Sequence, residues 1–210
     1  LNRWMRSDSA RPFLTMVPSG DTSLEYWDSS REGGYRVFIH SAAAGAEAKE
    51  RGTHWRQPHT SLQLAPKGQP GDSRSYVFKL GLAGDYDGVR QVLVDQGGMD
   101  VQVVPGMTVP TDLSARFALR TKHKIDAVEA EFPEQTRIES LGANGGFQLY
   151  QVRFTKLGEN RLTVRYGNGR HMFLEFFSTE PLETLIEKRA AFLAKSQHRD
   201  PGKWYNGLIT

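Results

Sequence analysis

Two pairs of neighbouring carboxylates have residue types and spacing that suit glycoside hydrolysis: Glu25 with Asp28, and Glu129 with Glu131. That reaction needs two carboxylates about 5–10 Å apart, one with a raised pKa so that it can act as an acid. Glu129 and Glu131 alternate with apolar residues such as Val128, which places both on the solvated face of a strand. We therefore predict no catalytic residue in this chain. An enzyme with its own site here would need the fold to bring distant carboxylates together.

The histidines show no metal-binding pattern. They are His40, His54, His59, His123, His171 and His198. None forms the His-x-x-x-His pair of a helical zinc site, and no third ligand clusters with His54 and His59. The chain has no cysteine and no acidic calcium loop. We predict neither a metal nor a cofactor.

One polar and aromatic loop, HWRQPH at residues 54–59, is a candidate carbohydrate-binding segment. An exposed Trp55 could stack on a sugar ring while Arg56 and His59 supply hydrogen bonds. The alternative is that Trp55 packs at an edge of its own domain. Trp204 and Tyr205 suggest the same sugar-binding role, with packing at the start of a further domain as the alternative.

The clearest structural pattern in the chain predicts a β-sandwich over residues 99–179. Its last strands alternate strictly, for example Leu162, Val164 and Tyr166 with polar residues between them, and turn residues bound each run. Short strands with turns every 8–12 residues predict an immunoglobulin-like sandwich. The alternation of apolar and polar residues changes phase between Ala127 and Val128, which predicts a β-bulge there.

The pattern of the first 98 residues predicts a β-rich unit, which is either the end of a larger sandwich or a small unit beside its neighbour. The expected strands lie at residues 13–17, 24–27, 35–40, 61–64 and 76–80. Asp85 is expected to cap a short helix that stops at Gly97, whereas residues 42–51 suit a short helix or a long loop.

Composition places few limits on function. A 38% hydrophobic and 24% charged chain of 210 residues fits a globular protein. The net charge of +3 is scattered, so we expect no nucleic-acid partner, and no apolar run is long enough for a membrane span. The chain starts at Leu1, so we interpret it as a piece of a longer protein whose targeting signal is not readable here.

Residues 180–210 are predicted to form a linker helix and the start of a missing downstream domain. The helix begins near Pro181 and carries an apolar stripe that includes Leu182, Leu185 and Ile186. The preceding strand has apolar residues on both faces, with Phe173 and Phe177 on the outer one. We therefore expect this helix or a neighbouring domain to cover that face.

Several motifs after about Tyr76 match a known family. They are PLETLI (181–186), RAAFL (189–193) and KWYNG (203–207), with YDGVR (86–90), VVPGM (103–107), PTDLS (110–114) and LGEN (157–160). They resemble a family of large bacterial proteins of unassigned function that have an N-terminal β-sandwich and a six-hairpin, (α/α)6-barrel, glycosidase-like domain. The resemblance implies a downstream barrel in the same chain, an oligo- or polysaccharide partner and an exported protein.

Two functions follow from this reading. The first is a non-catalytic β-sandwich and linker fragment of a glycoside-hydrolase-like protein, which positions the downstream barrel. The second is a stand-alone carbohydrate-binding or adhesion module, in which exposed aromatic residues such as Trp55 carry the affinity. Fold alone does not decide between them.

Overall fold

The computed structural model describes residues 2–4, 11–19, 22–29, 35–52, 59–195 and 202. The chain divides into two compact units, Leu1–Gln96 and Gly97–Thr210, called here the first and second units. The fold is mainly β with a β-sandwich and a C-terminal helix, which confirms the predicted fold class. The three-part division at residues 98 and 179 stays a prediction.

In its described residues, the first unit contains a three-stranded antiparallel sheet in the order β1-β2-β5, a separate β3-β4 hairpin and two helices. Its elements are β1 (Asn2–Trp4), β2 (Phe13–Ser19), β3 (Tyr26–Ser29), β4 (Tyr35–Phe38), α1 (Ala42–Glu50), β5 (Val77–Ala83) and α2 (Tyr86–Asp95). As predicted, Asp85 caps α2, because its side chain accepts a hydrogen bond of 2.7 Å from the Gly88 N–H. Of the two alternatives predicted for residues 42–51, a short helix or a long loop, the structure shows the helix, α1.

A small apolar core joins this sheet to α2. It consists of Phe13 and Ala83 from the sheet and Val89 from the helix, with Val92 packed against them. The alternating burial of β2 turns Phe13, Thr15 and Val17 towards this core.

The strand predicted at residues 61–64 is wrong. This segment has no regular secondary structure, and both Leu62 and Leu64 are about half exposed. The apolar alternation resembled that of a strand, but Leu62 lines an open cavity described below.

The second unit is a sandwich of two four-stranded sheets. The orders are β10-β11-β8-β6 and β7-β13-β12-β9. The strands are β6 (Asp100–Val104), β7 (Thr108–Pro110), β8 (Ala115–Arg120), β9 (Ile125–Ala130), β10 (Thr136–Asn144), β11 (Phe147–Phe154), β12 (Gly158–Tyr166) and β13 (Arg170–Thr179). All pairs are antiparallel except β7 with β13, which are parallel.

The inward faces of the two sheets form one continuous core. Phe117 and Phe154 come from the first sheet, and Leu162, Leu174 and Phe176 come from the second. The Phe176 ring lies 5.2 Å from that of Phe154 and 6.3 Å from that of Phe117, centroid to centroid. The period-two pattern seen in the sequence is therefore the inward and outward alternation of a packed sandwich.

The strands of the second unit include a tight glycine turn and a β-bulge. The β10–β11 hairpin turns at Gly145 and Gly146, both with positive φ, as a two-residue hairpin requires. The bulge in β9 lies at Asp126, because Arg165 pairs with Ala127 and the next residue of β12 pairs with Ile125. It therefore lies slightly before the predicted position.

The C-terminal helix α3 (Leu182–Lys195) buries none of its residues. Leu182, Ile186 and Phe192 on its apolar stripe are each about half exposed or more, and so is Phe177 on β13. Phe173 is instead covered by the Arg161 guanidinium, whose carbon lies 4.7 Å from the ring centroid. Of the two predicted covers for the outer face of β13, the helix is therefore wrong for Phe177, and a neighbouring domain stays a prediction.

In the described part of the chain, no helix combines the length and apolar character that a membrane crossing requires.

Candidate functional site

Three stretches of the first unit that are distant in sequence meet at the carboxylate of Glu25. Glu25 directly precedes β3, and its N–H donates to the carbonyl of Phe38 (2.9 Å). Ser41 lies just before α1, and Thr60 follows that helix along the chain. The Ala42 N–H donates to the carbonyl of Thr60 (3.1 Å), which holds the third stretch against the start of α1.

The Glu25 carboxylate accepts four hydrogen bonds. Its Oε2 accepts from the Ser41 N–H (2.8 Å), the Ser41 hydroxyl (2.8 Å) and the Thr60 N–H (3.0 Å), and Oε1 accepts from the Thr60 hydroxyl. Burial alone would raise the pKa of Glu25, but these bonds to Thr60 and Ser41 stabilise the charged form more strongly and lower the pKa to about 2. The carboxylate is therefore ionised at neutral pH.

Ser41 connects His59 to the hydrogen-bond network around Glu25. Ser41 is the N-cap residue of α1, yet its hydroxyl makes no capping bond and donates to Glu25 instead. Its single proton is thus committed, so the contact of 2.7 Å between Ser41 Oγ and His59 Nδ1 has the imidazole as donor. The His59 ring lies against Gly45, where an added Cβ would come within 3.0 Å of it.

A second histidine extends the network outwards. His40 Nδ1 lies 2.7 Å from Thr60 Oγ1, and His40 Nε2 lies 2.5 Å from the Tyr76 hydroxyl. Because the Thr60 hydroxyl donates to Glu25, the His40 ring donates to Thr60 from Nδ1. In the tautomer that carries its proton on Nδ1, the ring accepts a hydrogen bond from the Tyr76 hydroxyl at Nε2. A continuous chain of hydrogen bonds therefore runs from the Tyr76 phenol to the Glu25 carboxylate.

This chain of bonds forms one wall of an open cavity of about 380 Å³, called here the Glu25 cavity. Its polar lining includes Ser23, Thr60, Ser61, Gln63, Arg74 and Tyr76. Ile39 and Leu62 contribute apolar surface. Hydroxyl and amide groups both donate and accept hydrogen bonds, as sugar hydroxyls do, and the apolar side chains suit the C–H faces of a sugar ring.

The described residues that line the cavity do not include a pair of carboxylates. Glu25 is the one carboxylate among the described residues that line the cavity, and its low pKa prevents it from acting as a proton donor near neutral pH. The network also serves the fold, because one carboxylate fixes the backbone N–H groups of Ser41 and Thr60.

Of the predicted carbohydrate-binding residues, only His59 is among the described ones. It belongs to the Glu25 network, on the side of Ser41, and it does not line the cavity. Trp55, Arg56, Trp204 and Tyr205 lie outside the described residues, and their role stays a prediction. Tyr76 was not predicted as a site residue, because its apolar neighbours indicate a strand and its partner His40 lies 36 positions away.

In the second carboxylate pair, Glu129 forms an ion pair. The Glu129 carboxylate pairs with the Arg165 guanidinium at 2.9 Å, and both side chains are about half exposed on the outer face of a sheet. Across the residues that the structure describes, no group of three or more histidine, aspartate and glutamate side chains is placed to hold a metal ion.

Comparison with known proteins identifies a family and a fold. A family model described as "Family of unknown function (DUF5695)" matches residues 11–205. A solved structure titled as a polysaccharide lyase superposes with a TM-score of 0.60 at 16% sequence identity. The match covers 96% of this chain and 28% of that one, so this chain spans under a third of the length of that structure. A sequence search of curated proteins finds no match.

Proposed function

We propose that the chain, which belongs to the family DUF5695, is the β-rich accessory part of an exported, carbohydrate-active protein. The observation that carries the proposal is the fold match, because nearly the whole chain superposes on part of a polysaccharide lyase. In this proposal the chain is non-catalytic and positions a downstream (α/α)6 barrel. The sandwich of the second unit supplies a rigid support for that role.

The exposed stripe of α3 supports the positioning role. Leu182, Leu185 and Ile186 on this helix are exposed together with Phe192. An apolar helix stripe is stabilised when another surface removes it from water. We propose that the downstream barrel is that surface.

Replacing Ile186 by serine tests this contact. In the chain alone, Ile186→Ser should change the melting temperature by less than about 1 °C, because the side chain buries little surface. In the protein extended through its downstream domain, the same change should lower the melting temperature by about 3 °C or more. Differential scanning calorimetry on both lengths measures the two effects. Glu187→Ser on the same helix is the control, and an equal response of the two variants would contradict docking through the stripe.

The second candidate function, a carbohydrate-binding module, is favoured by the Glu25 cavity. Its volume lies in the range of small-ligand sites, and its lining combines hydroxyl, amide and guanidinium groups with apolar surface. The two functions are compatible, because an accessory region can hold a polysaccharide beside a catalytic domain.

Calorimetric titration with soluble neutral oligosaccharides tests the cavity. Gln63→Ala removes an exposed side chain of the lining and should weaken binding by roughly two- to tenfold, the value of one neutral hydrogen bond. Gln69→Ala, in the exposed turn at residues 66–72, is the matched control and should have no effect. Equal affinities of both variants and the parent chain would exclude this cavity as the binding site.

A further inference from the structure

A group of polar and charged side chains lies on the outer face of the β10-β11-β8-β6 sheet, in the second unit. Arg137 on β10 pairs directly with Arg153 on β11, and Arg116 on β8 pairs with Gln151 on β11. Side chains at such positions are about 5 Å apart across strands and 7–8 Å apart diagonally, measured between Cβ atoms. All three arginines are exposed. Three arginine side chains therefore lie on one area of the sheet, called here the arginine face.

Opposing arginines are an unfavourable arrangement for the sheet itself. Like charges directly across an antiparallel pair destabilise it, and opposite charges are the usual choice. Arg137 makes no hydrogen bond or ion pair with any described residue. Arg153 does not form an ion pair with the nearby Glu139 either, since no carboxylate of the described residues lies within 4.0 Å of its nitrogens. Stability alone thus gives no reason for this pair.

Two of these arginines are held in place by their Nε atoms. Arg153 Nε donates to the carbonyl of Thr111 (3.1 Å), and Arg116 Nε donates to the Gln151 side-chain oxygen (3.3 Å). The terminal guanidinium nitrogens of both residues are left to bind elsewhere. The same bond orients the Gln151 amide so that its NH2 group is left to donate. Donors fixed in advance lose less conformational entropy when they bind a ligand.

A cavity of about 230 Å³ lies among these residues. It is lined by Ser114, Arg137, Glu139, Gln151 and Arg153. The arginines suit a carboxylate or sulfate, which guanidinium groups bind through paired hydrogen bonds. Ser114, Gln151 and the Glu139 carboxylate suit hydroxyl groups, which donate to oxygen acceptors. The Glu139 carboxylate beside the arginines repels a phosphate backbone, which presents little besides negative charge. It favours a ligand that carries hydroxyl groups as well as an anionic group.

We propose that the arginine face binds an anionic sugar unit of an acidic polysaccharide. The anionic group lies between Arg137 and Arg153, and the sugar hydroxyls contact Gln151 and Glu139. This inference deepens the proposed function, on which it rests, by naming the class of polysaccharide. It involves the second unit and is independent of the Glu25 cavity.

The test is a titration of the whole chain with polygalacturonate as the carboxylate probe, dextran sulfate as the sulfate probe and dextran as the neutral probe. Arg137→Gln should weaken binding of the anionic probe by about tenfold, which corresponds to loss of a charged hydrogen-bonding partner. Arg137→Lys should give an intermediate loss, because lysine keeps the charge without the planar fork. Arg165→Gln removes the same charge from the other sheet and should change binding less than twofold.

Equal losses for Arg137→Gln and Arg165→Gln would overturn the proposal, since binding would then depend on net charge alone. Equal or tighter binding of a single-stranded DNA oligonucleotide would also overturn it and indicate a nucleic-acid surface. So would the failure of both acidic polymers to bind. Binding of polygalacturonate, dextran sulfate or both, with the Arg137 dependence, supports it and identifies the anion. A further outcome separates this inference from the proposed function. If neutral oligosaccharides bind in a way that depends on Gln63 and the acidic polymers do not bind, the proposed function is retained and the arginine face is rejected as a binding site.

Discussion

Replacing Glu25 by alanine should lower the free energy of unfolding of the first unit by about 3 kcal/mol. The substitution removes the acceptor of four hydrogen bonds, and an unsatisfied buried donor costs about 1–3 kcal/mol. Ser41 is only 1% exposed, so water cannot fully replace the lost carboxylate there. Hydrogen exchange followed by mass spectrometry can measure the loss of protection in residues 22–29 and 41–50. Glu47→Ala, which breaks an exposed pair with Arg51, is the control and should cost less than about 0.5 kcal/mol.

The same residue predicts how stability depends on pH. The pKa of Glu25 is lowered from 4.5 to about 2 in the folded state, so the folded chain binds its proton less readily than the unfolded chain. The contribution of Glu25 is therefore fully present above about pH 4.5 and is lost as the pH falls towards 2. Because the side chain is partly exposed, we expect about 2 kcal/mol from this source. Urea unfolding at pH 6 and pH 3 should show Glu25→Gln and the parent chain converging in acid. A constant difference between them would show that Glu25 acts through its shape and not its charge.

Replacing Phe176 by alanine should destabilise the second unit by about 4 kcal/mol. The side chain is 1% exposed and contacts the rings of Phe117 and Phe154 between the two sheets. Removing a buried phenylalanine loses its transfer free energy and leaves a cavity, which together cost about 3–5 kcal/mol. Urea denaturation followed by near-UV circular dichroism provides the measurement.

Phe177 provides a control that differs by one position. It points to the opposite face of the same strand and is 50% exposed, so Phe177→Ala should cost about 1 kcal/mol or less. Similar losses for the two variants would mean that something covers the outer face of β13.

The sequence predicted the sandwich well because burial there has a regular period. Leu162 and Val164 alternate with polar residues since one face of β12 meets the other sheet and the other face meets solvent. Asp85 also predicted the start of α2 correctly, because capping is a local interaction between residues three positions apart. Residues 61–64 were predicted as a strand but have no regular secondary structure. Alternation alone cannot distinguish a half-buried strand from an irregular segment whose leucines are exposed.

The candidate sites were less predictable because they depend on contacts between distant residues. Glu25, His40 and Thr60 are joined by hydrogen bonds across up to 35 positions in sequence, and Tyr76 joins them from 36 positions beyond His40. No spacing rule links such residues. The opposed pair of Arg137 and Arg153 likewise follows from the hairpin register. The turn at Gly145 and Gly146 sets that register at first, and a shift by one residue between Ser140 and Gly142 then brings Arg137 opposite Arg153.

The parallel pairing of β7 with β13 has a consequence for synthesis of the protein on the ribosome. Thr108 pairs with Phe177, so β7 finds its partner only after about 70 further residues have been added. The hairpin of β10 with β11 can form much earlier, because its strands are adjacent in the chain. Until β13 leaves the exit tunnel, the inward face of the first sheet, including Phe117 and Val152, lacks the cover that Leu174 and Phe176 provide. The nascent chain therefore passes through a stage in which this apolar face is exposed, and a chaperone that binds emerging chains would act at that stage.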